Sequence, residues 1–121
     1  LGAAVLGRER QPSLDRAARW EGLIPAVVDA SARHKGDLEE FADVTADVLA
    51  RRTALGLPTE GYDVILEADS SGEFVQRDPD GPAAWAGAGA TWWVESWWSL
   101  EHTPDGSREL RRRVEAGPRG S

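Results

Sequence analysis

Short apolar runs alternate with amphipathic helical segments along most of the chain, and this alternation is the feature that most restricts the fold. Strands separated by helices of this length pair in parallel through right-handed crossovers, which predicts a mixed α/β protein. The predicted elements are, in chain order, strand 3–6, a helix with Leu14, Ala17 and Ala18 on one stripe, strand 22–25, helix 37–55, strand 62–68, helix 82–88, strand 90–98 and helix 107–116.

Helix 37–55 has the clearest local signals. Asp37 and Glu40 have the spacing of a capping box, and Gly56 followed by Pro58 predicts the end of the helix. One face is apolar, which predicts an outer helix packed on a sheet; its residues are Leu38, Phe41, Val44, Val48 and Leu55.

The last helix has a similar but shorter apolar stripe. Leu110 and Val114 are expected to face inward, and the pair Gly117-Pro118 ends the helix, so residues 119–121 are expected to form a frayed tail. Residues 107–121 also carry five Arg against two Glu, which is interpreted as a solvated helix end, with a binding patch as the alternative.

The alternating pattern allows two architectures, a doubly wound sheet and a segment of a barrel, and the chain length distinguishes between them. A complete (β/α)₈ barrel takes about 250 residues. Four strands and four helices within 121 residues therefore correspond to about half of such a barrel. The chain begins at Leu1 and contains no methionine, so we expect the natural protein to be longer.

Composition excludes several classes of function. With no cysteine there is no disulfide framework, no thiolate metal site and no cysteine nucleophile, and a cytoplasmic setting is expected. The net charge of −7 disfavours nucleic acid as a partner. No segment approaches the roughly 20 apolar residues of a membrane span. His34 and His102 are isolated in the sequence, so no metal site is expected.

Four tryptophans lie close together in the predicted strand 90–98. Alternation along a strand sends Trp92 and Trp98 to one face and Trp93 and Trp97 to the other. One pair is therefore expected to lie under helices. The cluster is interpreted as core or subunit contact, with stacking against a sugar or an apolar ligand as the alternative.

Several segments together resemble luciferase-like flavin-dependent monooxygenases, barrel enzymes that use FMN or the deazaflavin coenzyme F-420. The similar segments, in the order of the family, are Ala17-Ala18-Arg19-Trp20-Glu21-Gly22-Leu23-Ile24-Pro25, Gly61-Tyr62-Asp63-Val64-Ile65-Leu66-Glu67, Ala88-Gly89-Ala90-Thr91-Trp92-Trp93-Val94-Glu95-Ser96 and Arg112-Arg113-Val114-Glu115-Ala116-Gly117-Pro118. The resemblance implies that residues 1–118 are the C-terminal half of a TIM barrel.

The resemblance also implies a site and a function. In such barrels the chemistry lies at the carboxyl ends of the strands, which makes Gly7, Arg8, Ile24 and Glu95 the candidate cofactor-binding residues. The family often has a strand ending in two glycines near the cofactor phosphate. Here Arg8 stands in place of the second glycine. Arg8 therefore either binds the cofactor phosphate or is a solvated charge after a turn at Gly7.

Glu95 has two interpretations of its own, a structural ion pair with an arginine or a part in the site. The cofactor itself carries the chemistry in this family, so no catalytic residue is assigned. The implied function is oxidoreductase or monooxygenase activity on a small organic substrate, as part of a longer chain; a homo-oligomer is left open. The alternative is a free-standing small α/β domain that binds an apolar partner through its Trp-rich strand and catalyses nothing.

Overall fold

The structure is a computed structural model that describes residues 3–6, 11–26, 38–68, 81–95 and 104–117. These residues form four strands and four helices in strict alternation. The elements are β1 (Ala3–Leu6), α1 (Gln11–Ala17), β2 (Gly22–Ala26), α2 (Leu38–Ala54), β3 (Asp63–Ala68), α3 (Gly81–Gly87), β4 (Trp92–Glu95) and α4 (Pro104–Ala116). The predicted order of elements is confirmed. Within the predicted strand 90–98, residues 96–98 lie outside the described residues.

The four strands form one parallel sheet in the order β1-β2-β3-β4, so each strand lies beside its neighbour in the chain. The register pairs Ala3 with Leu23, Leu23 with Val64 and Leu66 with Trp93. The protein is therefore a mixed α/β fold with a parallel sheet, as the alternating sequence predicts.

The core lies between one face of this sheet and the helices. From α2, Phe41, Val44 and Val48 are buried together with the sheet residues Val64 and Leu66. Further buried members come from the other elements and connections: Leu14, Ala17, Ala18, Leu23, Tyr62 and Trp85. The rings of Phe41 and Trp85 meet edge to face with 5.2 Å between centroids, an arrangement that aromatic pairs prefer.

The end of α2 corrects one prediction about the apolar face of this helix. Leu55 follows the last helical residue and is 49% exposed, so its inclusion in the buried stripe is wrong. Gly56 adopts φ = 70°. The amide of Gly56 donates to the Thr53 carbonyl (3.0 Å) and that of Leu57 to the Arg52 carbonyl (2.9 Å). This is a Schellman motif, which turns the chain at Gly56 and directs Leu55 away from the core.

The expectation that Leu110 and Val114 of α4 face inward is also wrong. Leu110 is 50% exposed and Val114 is 72% exposed. The stripe is present on the helix as the sequence predicts, but no described element covers it. Helical periodicity identifies which residues share a face, whereas burial also requires a neighbour for that face.

A buried arginine joins the connections at the amino ends of β2 and β3. The Arg52 side chain is 7% exposed overall. It donates from Nη1 to the carbonyls of Ala18 (2.9 Å) and Trp20, and from Nε and Nη2 to the carbonyl of Pro58 (2.9 and 2.8 Å). Its guanidinium also lies 4.4 Å from the centroid of the Tyr62 ring. Because these acceptors are backbone groups of two different connections, Arg52 fixes one connection to the other.

Tyr62 strengthens the same cluster from the start of β3. Its hydroxyl donates to the Ala17 carbonyl at 2.9 Å, across 45 residues of chain. Burial raises the pKa of Tyr62 to about 12, and the nearby Arg52 charge offsets part of that rise. The neutral phenol is therefore the form that the folded protein retains.

Candidate functional site

The two longest connections, residues 27–37 and 69–80, leave the carboxyl ends of strands. Residues 7–10 and 96–103 leave the other two carboxyl ends, whereas residues 18–21, 55–62 and 88–91 arrive at the amino ends. Short connections that hydrogen-bond to each other, as around Arg52, build a scaffold. Long connections place loop side chains next to strand ends that the sheet holds in position. The carboxyl ends of the strands are therefore the candidate site.

The sheet face opposite the helices is not covered by any described helix. Val64 and Leu66 of β3 belong to the core, and the residues that alternate with them, Asp63, Ile65 and Glu67, lie on the opposite face. Asp63 and Glu67 are exposed and Ile65 is partly exposed. We call this surface the bare face; its members on the other described strands are Ile24 of β2 and Trp92 and Val94 of β4.

The bare face is apolar in the middle and acidic toward both ends. Ile65 is in register with Trp92, and Ile24 lies one position after the pair formed by Leu23 and Val64. These three apolar residues therefore form a row across β2, β3 and β4. Asp63 lies toward the amino ends of the strands and Glu67 toward the carboxyl ends. The apolar row therefore lies next to the Glu67 carboxylate, which is the one nearer the candidate site.

Trp92 contributes most of the exposed apolar surface in this row. It is 59% exposed, while its Nε1 donates to Oδ1 of Asp63 at 2.9 Å. That bond directs the indole toward β3. Trp93 points to the other face and packs against the core. The predicted separation of Trp92 from Trp93 is confirmed, and Trp97 and Trp98 lie outside the described residues.

A proline interrupts the pairing of β2 with β3 toward their carboxyl ends. The Asp63 amide donates to the Glu21 carbonyl (3.1 Å), so the odd-numbered residues of this part of the chain face β3. The register pairs of the two strands end at Leu23 and Val64, although both strands continue. The next ladder bond donated by β2 to β3 would need the backbone N–H of residue 25, and Pro25 has no N–H. The register pairs of β2 and β3 therefore end just before Ile24 and Ile65.

The structure describes two of the four predicted site residues. Ile24 is partly exposed on the bare face, two residues before β2 ends. Glu95 is the last residue of β4 and is in register with Ala68. Gly7 and Arg8 lie outside the described residues. A role in cofactor binding stays a prediction for all four.

Sequence reasoning did not identify Ile65, Glu67 or Asp63 as companions of Ile24. The signal that identifies them is the alternation within Asp63-Val64-Ile65-Leu66-Glu67 once Val64 is assigned to the core. Alternation alone does not say which of the two faces is covered. That assignment requires the positions of α1, α2 and α3.

Several residues in the segments that resemble luciferase-like enzymes have structural roles at the amino ends of the strands. Ala17 and Ala18 are fully buried, and their carbonyls accept the Tyr62 hydroxyl and the Arg52 guanidinium. A Cβ added to Gly22 would lie 2.9 Å from the Asp63 carbonyl oxygen, so this position requires glycine for β2 to approach β3. These residues build the scaffold and lie away from the candidate site.

In the described part of the chain, no helix is long and apolar enough to cross a bilayer, and no group of three or more His, Cys, Asp or Glu residues is suited to a metal ion. Comparison with protein-family models, curated proteins and solved structures gave no match.

Proposed function

We propose that this chain forms four consecutive β/α units of a (β/α)₈ barrel, in the position of its C-terminal half. The observation that carries the proposal is the sheet order β1-β2-β3-β4 with the buried side chains of α1, α2 and α3 on one face. A doubly wound sheet reverses its strand order and has helices on both faces. A barrel keeps chain order, with helices outside and side chains of the bare face inside.

We further propose that the carboxyl ends of these strands contribute to a flavin site in an oxidoreductase or monooxygenase of the luciferase-like type. The apolar row of Ile24, Ile65 and Trp92 suits the floor below a planar ring system. Arg8 and the turn at Gly7 are proposed to hold the cofactor phosphate, with Glu95 at the rim. Bound FMN or coenzyme F-420 would supply hydride transfer to or from a small organic substrate.

The residues of this chain would then act by binding and orientation. The row would provide an apolar contact surface for the ring system. No acid or base from the protein is required for this chemistry. With a cysteine-free sequence, we propose a cytoplasmic setting.

Titration of the full-length protein with FMN and with F-420 tests the cofactor proposal. The expected result is saturable binding of one of the two at micromolar concentration, followed by cofactor fluorescence. Ile65→Asp places a charge in the apolar row and is expected to weaken binding at least tenfold. Trp20→Ala is the matched control, since Trp20 is 48% exposed in the connection before β2. Absence of binding by both cofactors would exclude the oxidoreductase proposal.

The second candidate function is binding of an apolar partner by a free-standing α/β domain. The exposure of Trp92 (59%) and Val94 (41%) on one strand favours it, because neighbouring exposed apolar side chains can form a recognition surface. Such a domain would be a clean monomer with covered sheet edges. Half of a barrel, with open strand edges, would instead self-associate or aggregate. Sizing chromatography of the 121-residue chain therefore distinguishes the two candidate functions.

A further inference from the structure

One hydrogen bond sets the direction of the Trp92 indole on the bare face. Trp92 is 59% exposed, so packing against the described residues leaves much of its ring uncovered. Its Nε1 donates to Oδ1 of Asp63 at 2.9 Å. A carboxylate is a stronger acceptor than a neutral oxygen, and this bond is therefore the contact that best accounts for the position of the ring.

The bond directs the indole toward the amino ends of the strands. Trp92 is in register with Ile65, and Asp63 precedes Ile65 by two residues in β3. At a rise of about 3.3 Å per residue, Asp63 lies roughly 7 Å closer to the amino ends than Trp92 does. The indole is thus held away from the carboxyl ends, where the candidate site lies.

The backbone that carries the Asp63 carboxylate is itself held in place by β2. The Asp63 amide donates to the Glu21 carbonyl at 3.1 Å, and Asp63 is in register with Gly22. A Cβ added to Gly22 would lie 3.1 Å from the Asp63 Cβ, so β2 passes close to the base of this side chain. The acceptor of the indole N–H therefore stands on a fixed element, as a group that orients another side chain requires.

The space on the carboxyl side of Trp92 is the space that the indole would fill without this bond. The next register pair toward the carboxyl ends is Glu67 with Val94. Glu67 is exposed and Val94 is 41% exposed. Aromatic side chains on strands commonly adopt more than one χ1 conformer. An indole turned the other way would lie over Glu67 and Val94, where the proposed ring system of the cofactor would bind.

We propose that Asp63 is a positioning residue, which holds the Trp92 indole below the carboxyl-end site so that the site stays open for the cofactor ring. The inference rests on the proposed flavin site. Asp63 acts through Trp92 and does not itself contact the ring system. Without Asp63 the indole would occupy the site in part of the molecules, and the apparent affinity would fall with the fraction of molecules whose site is open.

Cofactor titration of Asp63 variants of the full-length protein tests the effect on the site. For the cofactor that the parent protein binds, Asp63→Ala is expected to raise Kd about fivefold. Asp63→Asn is the matched control, because it removes the same charge but keeps an oxygen that accepts the indole N–H. It should restore most of the affinity. Far-UV circular dichroism checks that both variants fold. Equal Kd values for Asp63→Ala and the parent, or equal losses in the two variants, would overturn the proposal.

A second background tests whether Asp63 acts through the indole. Trp92→Phe keeps an aromatic ring but has no N–H for Asp63 to accept. In that background, Asp63→Ala should change Kd by less than about twofold, because the two residues are coupled through one hydrogen bond. A fivefold loss that persists in the Trp92→Phe background would contradict action through Trp92.

NMR without cofactor reports the direction of the indole itself. In the parent protein the Trp92 ring should show nuclear Overhauser contacts to the β protons of Asp63, and in Asp63→Ala it should gain contacts to the methyls of Val94. The Trp92 Nε1–H signal is assigned by its absence in Trp92→Phe. A ring that gains no contact to Val94 in Asp63→Ala would refute the positioning role. Failure of the inference alone leaves cofactor binding by the parent intact, whereas a parent that binds neither cofactor refutes the proposed function and the positioning role with it.

Discussion

Arg52 offers the sharpest test of how the connections at the amino ends are held, and Arg52→Met is the change to make. Methionine fills a similar volume but donates no hydrogen bond. Arg52 makes its best bonds to the carbonyls of Ala18 and Pro58, at 2.8–2.9 Å. A hydrogen bond from a charged donor contributes about 1.5 kcal/mol or more, so these two acceptors give a loss of about 3 kcal/mol.

Urea denaturation followed by far-UV circular dichroism measures this loss at a fixed protein concentration. With a denaturant slope of about 2 kcal/mol/M, the midpoint should fall by about 1.5 M. Arg51→Met is the matched control, since Arg51 is the adjacent residue and forms more exposed ion pairs with Asp15 and Asp47. That control should lose less than about 1 kcal/mol. If both variants lost the same stability, the bridging role of Arg52 would be refuted.

Three further predictions concern the core and the sheet. Tyr62 is the only tyrosine, so absorbance at alkaline pH follows its ionisation. Its pKa is about 12 in the folded protein and about 10 in the unfolded chain, so its contribution to the free energy of unfolding is complete below pH 10 and falls as the pH rises toward 12. Tyr62→Phe should remove that fall, measured as urea midpoints across this pH range. Gly22→Ala should cost about 1–3 kcal/mol in the same assay, because the new Cβ meets the Asp63 carbonyl; an unchanged midpoint would contradict the close approach of β2 and β3. Phe41→Ala should lower the free energy of unfolding by about 3–5 kcal/mol, because Phe41 is buried. Leu55→Ala, beyond the helix end, should lower it by about 0.5 kcal/mol or less, and similar losses for the two variants would contradict the assigned end of α2.

Element order was predictable because each helix and strand carries its own local signal. The Phe41, Val44 and Val48 stripe and the Gly56 turn lie within a few residues of each other, and local sequence determines both. The helix ends at Ala54, one residue before the predicted limit. This one-residue difference moves Leu55 from the expected core to solvent.

Features that depend on distant residues were not predictable from the sequence. Arg52 looks like a charge in the last turn of a helix, yet its acceptors lie on residues 18, 20 and 58. The exposure of Leu110 and Val114 depends on whether another element lies beside α4. Likewise, Ile65 and Val64 are equally apolar neighbours, and only the position of the helices assigns them to different faces.

Methyl NMR measures directly whether the bare face lies on the side of the sheet opposite the helices. The chain has two isoleucines, Ile24 and Ile65, and both lie on that face. A sample labelled only at isoleucine δ1 methyls therefore gives two signals. We expect nuclear Overhauser contacts between these two methyls and from Ile65 to the Trp92 indole, with none to Phe41 of α2. Contacts from either isoleucine to Phe41 would place helices on both faces and contradict the barrel proposal.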